Sequence, residues 1–135
     1  MQIDLAVLAD AATIDGAGKL NILGIFDRIG AAEFPARHER MCLVFRINAS
    51  IEEVGEHEVG IAVVGPSGEE VSRMDGALRI GPQKGGGSIR IPQVVHMDGF
   101  VFPEPGSYSI DISIDGEIVE TINLYLAGGG RMAQA

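Results

Sequence analysis

Large apolar and small polar residues alternate without a break from Tyr108 to Ile114 and run into an Asp115-Gly116 pair. A period of two marks a strand with one face in a core and the other in water, and Asp-Gly is a turn that sends the chain back. The pattern predicts strands over Tyr108 to Ile114 and Glu117 to Leu126. With a two-residue loop Asp115-Gly116, Ile110 would face Thr121 and Ile112 would face Val119, leaving Ile118, Ile122 and Leu124 against serines. A three-residue loop Ile114-Asp115-Gly116, with Gly116 left-handed, pairs Ile112 with Ile118 and Tyr108 with Ile122. That register, or else a bulge in the last strand, is the expectation.

The same reading places strands at Ile3 to Leu8 and Lys19 to Ile29, joined through Asp15-Gly16-Ala17-Gly18, whose two glycines suit positive φ. Leu20 to Phe26 is apolar on nearly both faces, the pattern of a strand central in a sheet or covered on both sides. Phe34-Pro35-Ala36 interrupts. His38 to Asn48 follows as a third strand, with Met41, Leu43, Phe45 and Ile47 on one face and Arg40, Cys42, Val44 and Arg46 on the other. Ser50 to Glu58 reads as a loop, Val59 to Val64 as a strand ended by Pro66-Ser67-Gly68, and Glu69 to Arg73 as its return, with Ala77 to Ile80 continuing it or starting another. Beyond the glycine-rich stretch Gly81 to Gly87, Ile89 to His96 is a strand whose Pro92 argues for an edge or a bulge, because proline cannot donate to a ladder. No segment reads as a helix, and Ile51 to Val54 makes one turn at most. About eight short strands with glycine-rich turns predict an all-β fold, an antiparallel β-sandwich with a closed barrel as the alternative. Residues 1–127 form a single domain in this reading, and 128–135 a flexible tail.

Composition narrows the picture. The 135 residues suit one domain able to bury about two thirds of its unfolded surface, so no metal or disulfide staple is required. Glycine, 19 residues, is about twice its usual share of ~7%, which favours turns over helices. The single Cys42 lies inside the apolar run Met41 to Phe45 and reads as a small buried hydrophobe rather than a nucleophile. Met1 to Leu5 lacks the basic and apolar regions of a secretory signal and no cysteine pair exists, so the cytoplasm is the expected compartment. A net charge of −9 would repel phosphodiester backbones, which argues against nucleic acid. No apolar run approaches the ~20 residues of a membrane helix.

Two resemblances add to this. Glu104-Pro105-Gly106-Ser107-Tyr108 resembles the corner before the penultimate strand of immunoglobulin-like domains, where a tyrosine hydroxyl bonds back to the turn backbone. It implies an immunoglobulin-like Greek key, although the cysteine pair and tryptophan of antibody domains are absent. The run from Asp15 to Ile29, with Phe34-Pro35 and His38 after it, resembles an uncharacterised family of short bacterial proteins known as a domain of unknown function. That resemblance implies a bacterial intracellular protein and no particular activity.

Candidate chemistry is sparse. His38, His57 and His96 show no metal-ligand spacing, and Lys84-Gly85-Gly86-Gly87-Ser88 lacks the order and following helix of a phosphate loop. The aspartates at 10, 15, 27, 98 and 115 are too dispersed for an EF-hand. Arg37-His38-Glu39-Arg40 is the one local group suited to an anion or an acidic partner, with Arg37, His38 and Arg40 as contacts. A solvated strand entry with an internal ion pair is its plainer reading. No cofactor is implied. The expectation is a non-enzymatic protein-binding or assembly module acting through a sheet face or an edge strand, with a protein partner or a homo-oligomer hiding its exposed apolar strip. The alternatives are a small-ligand or carbohydrate-binding sandwich using Phe100 or Phe102, and an enzyme in which one of the histidines meets a carboxylate in a pocket.

Overall fold

A computed structural model describes residues 1–83 and 85–128. Eleven strands follow in chain order: β1 (Gln2–Ile14), β2 (Leu20–Phe26), β3 (Arg28–Gly30), β4 (Ala36–His38), β5 (Cys42–Ala49), β6 (Gly55–Val64), β7 (Glu70–Ile80), β8 (Ile89–His96), β9 (Phe100–Phe102), β10 (Gly106–Ile114) and β11 (Glu117–Ala127). The count exceeds the eight expected because β3, β4 and β9 are three-residue strands, too short to show a period. The only helical element among the described residues is a 3-10 turn at Ile51–Glu53, capped by a Ser50–Glu53 box.

Two sheets stack as a sandwich. The first has the order β2-β1-β5-β8, the second β3-β11-β10-β6-β7, and β4 and β9 form a small third ladder. All pairs are antiparallel except β3, which lies parallel to β11. The chain changes sheet at Asp27, between β2 and β3, again between β5 and β6 and between β7 and β8, and by way of the β4–β9 ladder between β3 and β5 and between β8 and β10. Leu43, Phe45 and Ile47 from the first sheet meet Ile61, Val63, Ile110, Ile112, Leu124 and Leu126 from the second in one core. Those β5 residues occupy the face predicted from their alternation. Pro92 sits in β8, the edge strand it was expected to mark.

Tyr108 is buried at the start of β10, edge-on to Phe102 at 5.2 Å. Its hydroxyl donates to the Glu104 carbonyl at 2.6 Å and accepts from the Glu104 amide at 3.1 Å, closing the corner read from Glu104 to Tyr108. A buried hydroxyl is thus satisfied twice by the backbone it pins.

Several expectations are corrected. The terminal hairpin uses a two-residue loop, with Ile114 opposite Glu117 and Asp115 and Gly116 both at positive φ (52° and 88°), a combination whose twist matches the flanking strands. The three-residue loop and its Ile112–Ile118 and Tyr108–Ile122 pairs are therefore absent. The alternative of a bulge in the last strand is realised: the register shifts between Ile112 and Ser113, so Ser113 faces Ile118 while Ile112 faces Glu120. One residue added to β11 returns Ile122, opposite Ile110, and Leu124, opposite Tyr108, to the inner side. Ser50 to Glu58 is not all loop, since β6 starts at Gly55, and of the two glycines in the first turn only Gly18 takes positive φ. The tail expected over 128–135 lies, apart from Gly128, outside the described residues.

Candidate functional site

The first sheet has an outer face, away from the core, where Leu5, Val7 and Ala9 of β1, Cys42, Val44 and Arg46 of β5, and Arg90, Pro92 and Val94 of β8 line up by register. Ala9, Cys42 and Val44 are almost completely buried there, although no third sheet covers them. Their cover is the β1–β2 hairpin: Ala12, Leu20 and Ile22 pack on them beside Val7 and Val94. Were β1 straight, Ile14, which pairs with Leu20, would lie roughly 30 Å from Leu5. Instead Gly18, Lys19 and Leu20 line one groove with Leu5, so the hairpin folds back across the sheet. The bend falls at Asp10 and Gly24, the position the β1–β2 ladder skips. Gly24 has φ 74°, and a Cβ there would strike the Asp10 carboxylate, so glycine is required at the bend.

Folding back shields only one side of β2. Contrary to the expectation for a strand apolar on both faces, β2 is an edge strand, and Leu23 and Ile25 stand 71% and 62% exposed. Ile14 is exposed on the same hairpin. Burial of Leu20 and Ile22 accounts for one apolar face and nothing within the described residues covers the other.

The turn of the hairpin reaches a cluster of charges. Arg46 Nε donates to Asp4 Oδ1 at 2.9 Å, and Arg90 Nε lies 3.4 Å from Asp4 Oδ2. Lys19 lines the same groove, whose volume is about 490 Å³. The Arg46 hydrogen bond, with the fields of both guanidiniums, holds the Asp4 carboxyl below its ordinary pKa against the opposing effect of desolvation. Asp4 is placed by a β1 bulge between Ile3 and Leu5. These charges come from distant parts of the sequence, and no local motif announces them; the one signal was Arg46 on the outer side of its strand.

Arg37, His38 and Arg40 are arranged differently. Arg37 Nη1 bonds Glu39 Oε2 at 3.0 Å with both side chains in solvent, the internal pair of the plainer reading. His38 is turned to the other side, its ring 5.7 Å from that of Phe26. Arg40 is exposed and joins neither contact. Lys84 of the glycine-rich connection lies outside the described residues.

His57 does meet a carboxylate. Its Nδ1 is 2.6 Å from Asp115 Oδ2 and its Nε2 is 2.6 Å from the Glu53 carbonyl. Both partners are acceptors, so both contacts are made only by the doubly protonated ring. The hydrogen bond to Asp115 leads the effects that raise the His57 pKa, and the reciprocal bond leads those that lower that of Asp115. Asp115 Oδ1 also accepts from the Glu58 amide at 2.9 Å. With each ring nitrogen already committed, the pair is a clasp between the 3-10 turn and the β10–β11 turn. Among the described residues no group of three or more His, Cys, Asp or Glu side chains is placed to hold a metal.

Cys42 is buried under the hairpin, its Sγ 3.6 Å from the Ala9 carbonyl, and burial raises its thiol pKa. Phe102 is packed in the core and Phe100 lies against it, the ring centroids 4.7 Å apart and the planes tilted by 49°. No helix of the described residues is long and apolar enough to cross a membrane.

A search of curated proteins finds no match to the chain. Residues 4–127, which include both sheets, the folded-back hairpin and the Asp4 cluster, match a family of unknown function, DUF6941, and the chain belongs to that family.

Proposed function

We propose that this protein is a non-enzymatic binding and assembly module that works through the free edge of β2, with a second copy of the chain as its partner. The observation that carries this reading is the exposure of Leu23 and Ile25 on an edge strand. Sheet edges are normally blunted by charge, proline or shortness, because their unpaired backbone groups recruit other strands. Three of the four edges of the two main sheets follow that rule: β8 carries Arg90 and Pro92, β7 carries Glu70, Arg73, Asp75 and Arg79, and β3 has three residues. The fourth, Leu20-Asn21-Ile22-Leu23-Gly24-Ile25-Phe26, has no charge and no proline. Two copies paired antiparallel about Leu23 would set Leu23 against Leu23 and Ile25 beside Asn21, a self-complementary contact of the kind a two-fold dimer needs. In this reading the sandwich is immunoglobulin-like, with Tyr108 as its corner, and the protein acts in a bacterial cytoplasm.

Light scattering on eluted fractions tests it. The wild type is expected at twice the 14.2 kDa chain mass at micromolar concentration, and Leu23→Glu at the chain mass with its thermal midpoint kept. A wild type that stays monomeric overturns self-association, and a dimer unaffected by Leu23→Glu moves the contact away from β2.

A further inference from the structure

We propose that the groove between the β1–β2 turn and the outer face of the first sheet binds a small aliphatic carboxylate, its head on Arg46 and Arg90 and its stem under the hairpin. Arg46 lies opposite Pro92 in the ladder and Asn48 opposite Arg90, so the two arginines share one face on neighbouring strands. Asp4 spans both and approaches each guanidinium at its Nε, at 2.9 and 3.4 Å. Among the described residues no hydrogen bond reaches the terminal amino groups of either arginine. One buttressing carboxylate thus orients two guanidiniums and leaves their terminal donors facing the solvent-open groove without a protein partner among the described residues. A planar donor pair of that kind matches the two oxygens of a carboxylate.

Charge and shape agree with this. Lys19, Arg46 and Arg90 line the groove, with the Asp4 carboxylate against the two guanidiniums, in a chain whose net charge is −9. The nearby Asp15 carboxylate is engaged by the Ala17 and Lys19 amides, each at 2.9 Å. Beside the cations the walls are Leu5, Leu20, Ile22 and Pro92. The volume of about 490 Å³ falls within the range of roughly 300–1,000 Å³ usual for small-molecule sites. Polar donors at one end and aliphatic walls along the rest select a ligand with a charged head and an apolar stem, whereas a bare inorganic anion would leave the walls unused. The site lies within one chain and does not depend on the β2 edge.

Titration of the full chain with octanoate, acetate and octylammonium, followed by amide chemical shifts, separates the contributions. Octanoate is expected to give saturable shifts at Leu5, Leu20, Ile22, Arg46 and Arg90, with acetate about tenfold weaker or more for want of a stem, and octylammonium without effect there. Arg90→Gln is expected to weaken octanoate about tenfold while shifts elsewhere in the sandwich stay in place. Leu23→Glu is expected to leave octanoate binding unchanged. Equal affinity for acetate and octanoate, no saturation with octanoate, or wild-type affinity in a folded Arg90→Gln protein would each overturn the assignment. Octanoate binding that survives in a protein found monomeric would uphold this site while removing the dimer.

Discussion

The β10–β11 and β1–β2 hairpins are built from similar amounts of apolar side chain and end in opposite situations. In β10 the apolar residues are every second one, so Tyr108, Ile110, Ile112 and Ile114 all enter the core and the serines between them face outward. In β2 they fall on both faces, and a strand of that kind needs two covers. It receives one, the Cys42 and Val44 side of the first sheet, and only because β1 bends at Asp10 and Gly24. The hairpin thereby closes an apolar face of the sandwich and presents a new one, at Leu23 and Ile25, to the outside. An alternating strand is completed by its own fold, whereas a doubly apolar strand at an edge is completed only by something else.

The sharpest way to break that contrast is truncation on each hairpin. Ile112→Ala removes a fully buried side chain between the sheets and is expected to cost about 2–5 kcal/mol in denaturant unfolding. Leu23→Ala, measured under conditions that dissociate any assembly, is expected to change stability by no more than ~0.5 kcal/mol. Comparable losses at the two positions would mean that β2 is covered in the isolated chain.

A smaller effect tests the bend. Gly24→Ala puts a Cβ into the Asp10 carboxylate at a left-handed backbone position and is expected to cost about 1–3 kcal/mol. Faster amide exchange should be confined to residues 11–14 and 20–23, with Cys42 becoming accessible to thiol reagents. Loss spread evenly over both sheets would show that the hairpin is part of the main cooperative unit rather than a flap upon it.

The smallest effect concerns the turn of the other hairpin, held by His57 and Asp115. The pKa of His57 is raised, so its stabilising contribution is complete below the unfolded value of about 6.5 and is lost as pH rises through the folded value. That of Asp115 is lowered, so its contribution is present above about 3.8 and is lost as pH falls through the folded value. The stability gap between wild type and Asp115→Asn should therefore be widest in mildly acidic solution and narrow toward alkaline pH. Because Asp115 is half in solvent, the gap is expected to be modest and to shrink with salt. A gap that widens above neutral pH would contradict the charged clasp.

Much of the sandwich was legible because its signals are local. The alternation in β10, the Pro92 edge and the Tyr108 corner each depend on residues within a few positions of one another. The doubly apolar character of Leu20 to Phe26 is also legible, but it implies a strand central in the sheet or covered on both sides, since sequence carries the need for two covers and not whether both exist. The β11 bulge was legible only as one of two alternatives: one added residue resolves the conflict between an Asp-Gly turn and the inward run of Ile122 and Leu124, and a longer turn resolves it equally well. The Asp4, Arg46 and Arg90 cluster had one faint sequence signal, Arg46 on the outer side of its strand, because strand pairing and a bulge in β1 bring together residues from three strands. Arg37 and Arg40 are cationic neighbours by adjacency in the sequence, and the ion pair of Arg37 is with Glu39 of the same segment.

Amide exchange along β2 as a function of protein concentration tests the central claim most directly, because an edge that recruits a second copy gains hydrogen bonds only when copies meet. Protection should rise with concentration across residues 20–26, together with shielding of Leu23 and Ile25, while β7 and β8 are unchanged. Exchange in β2 that is rapid and independent of concentration would contradict the account.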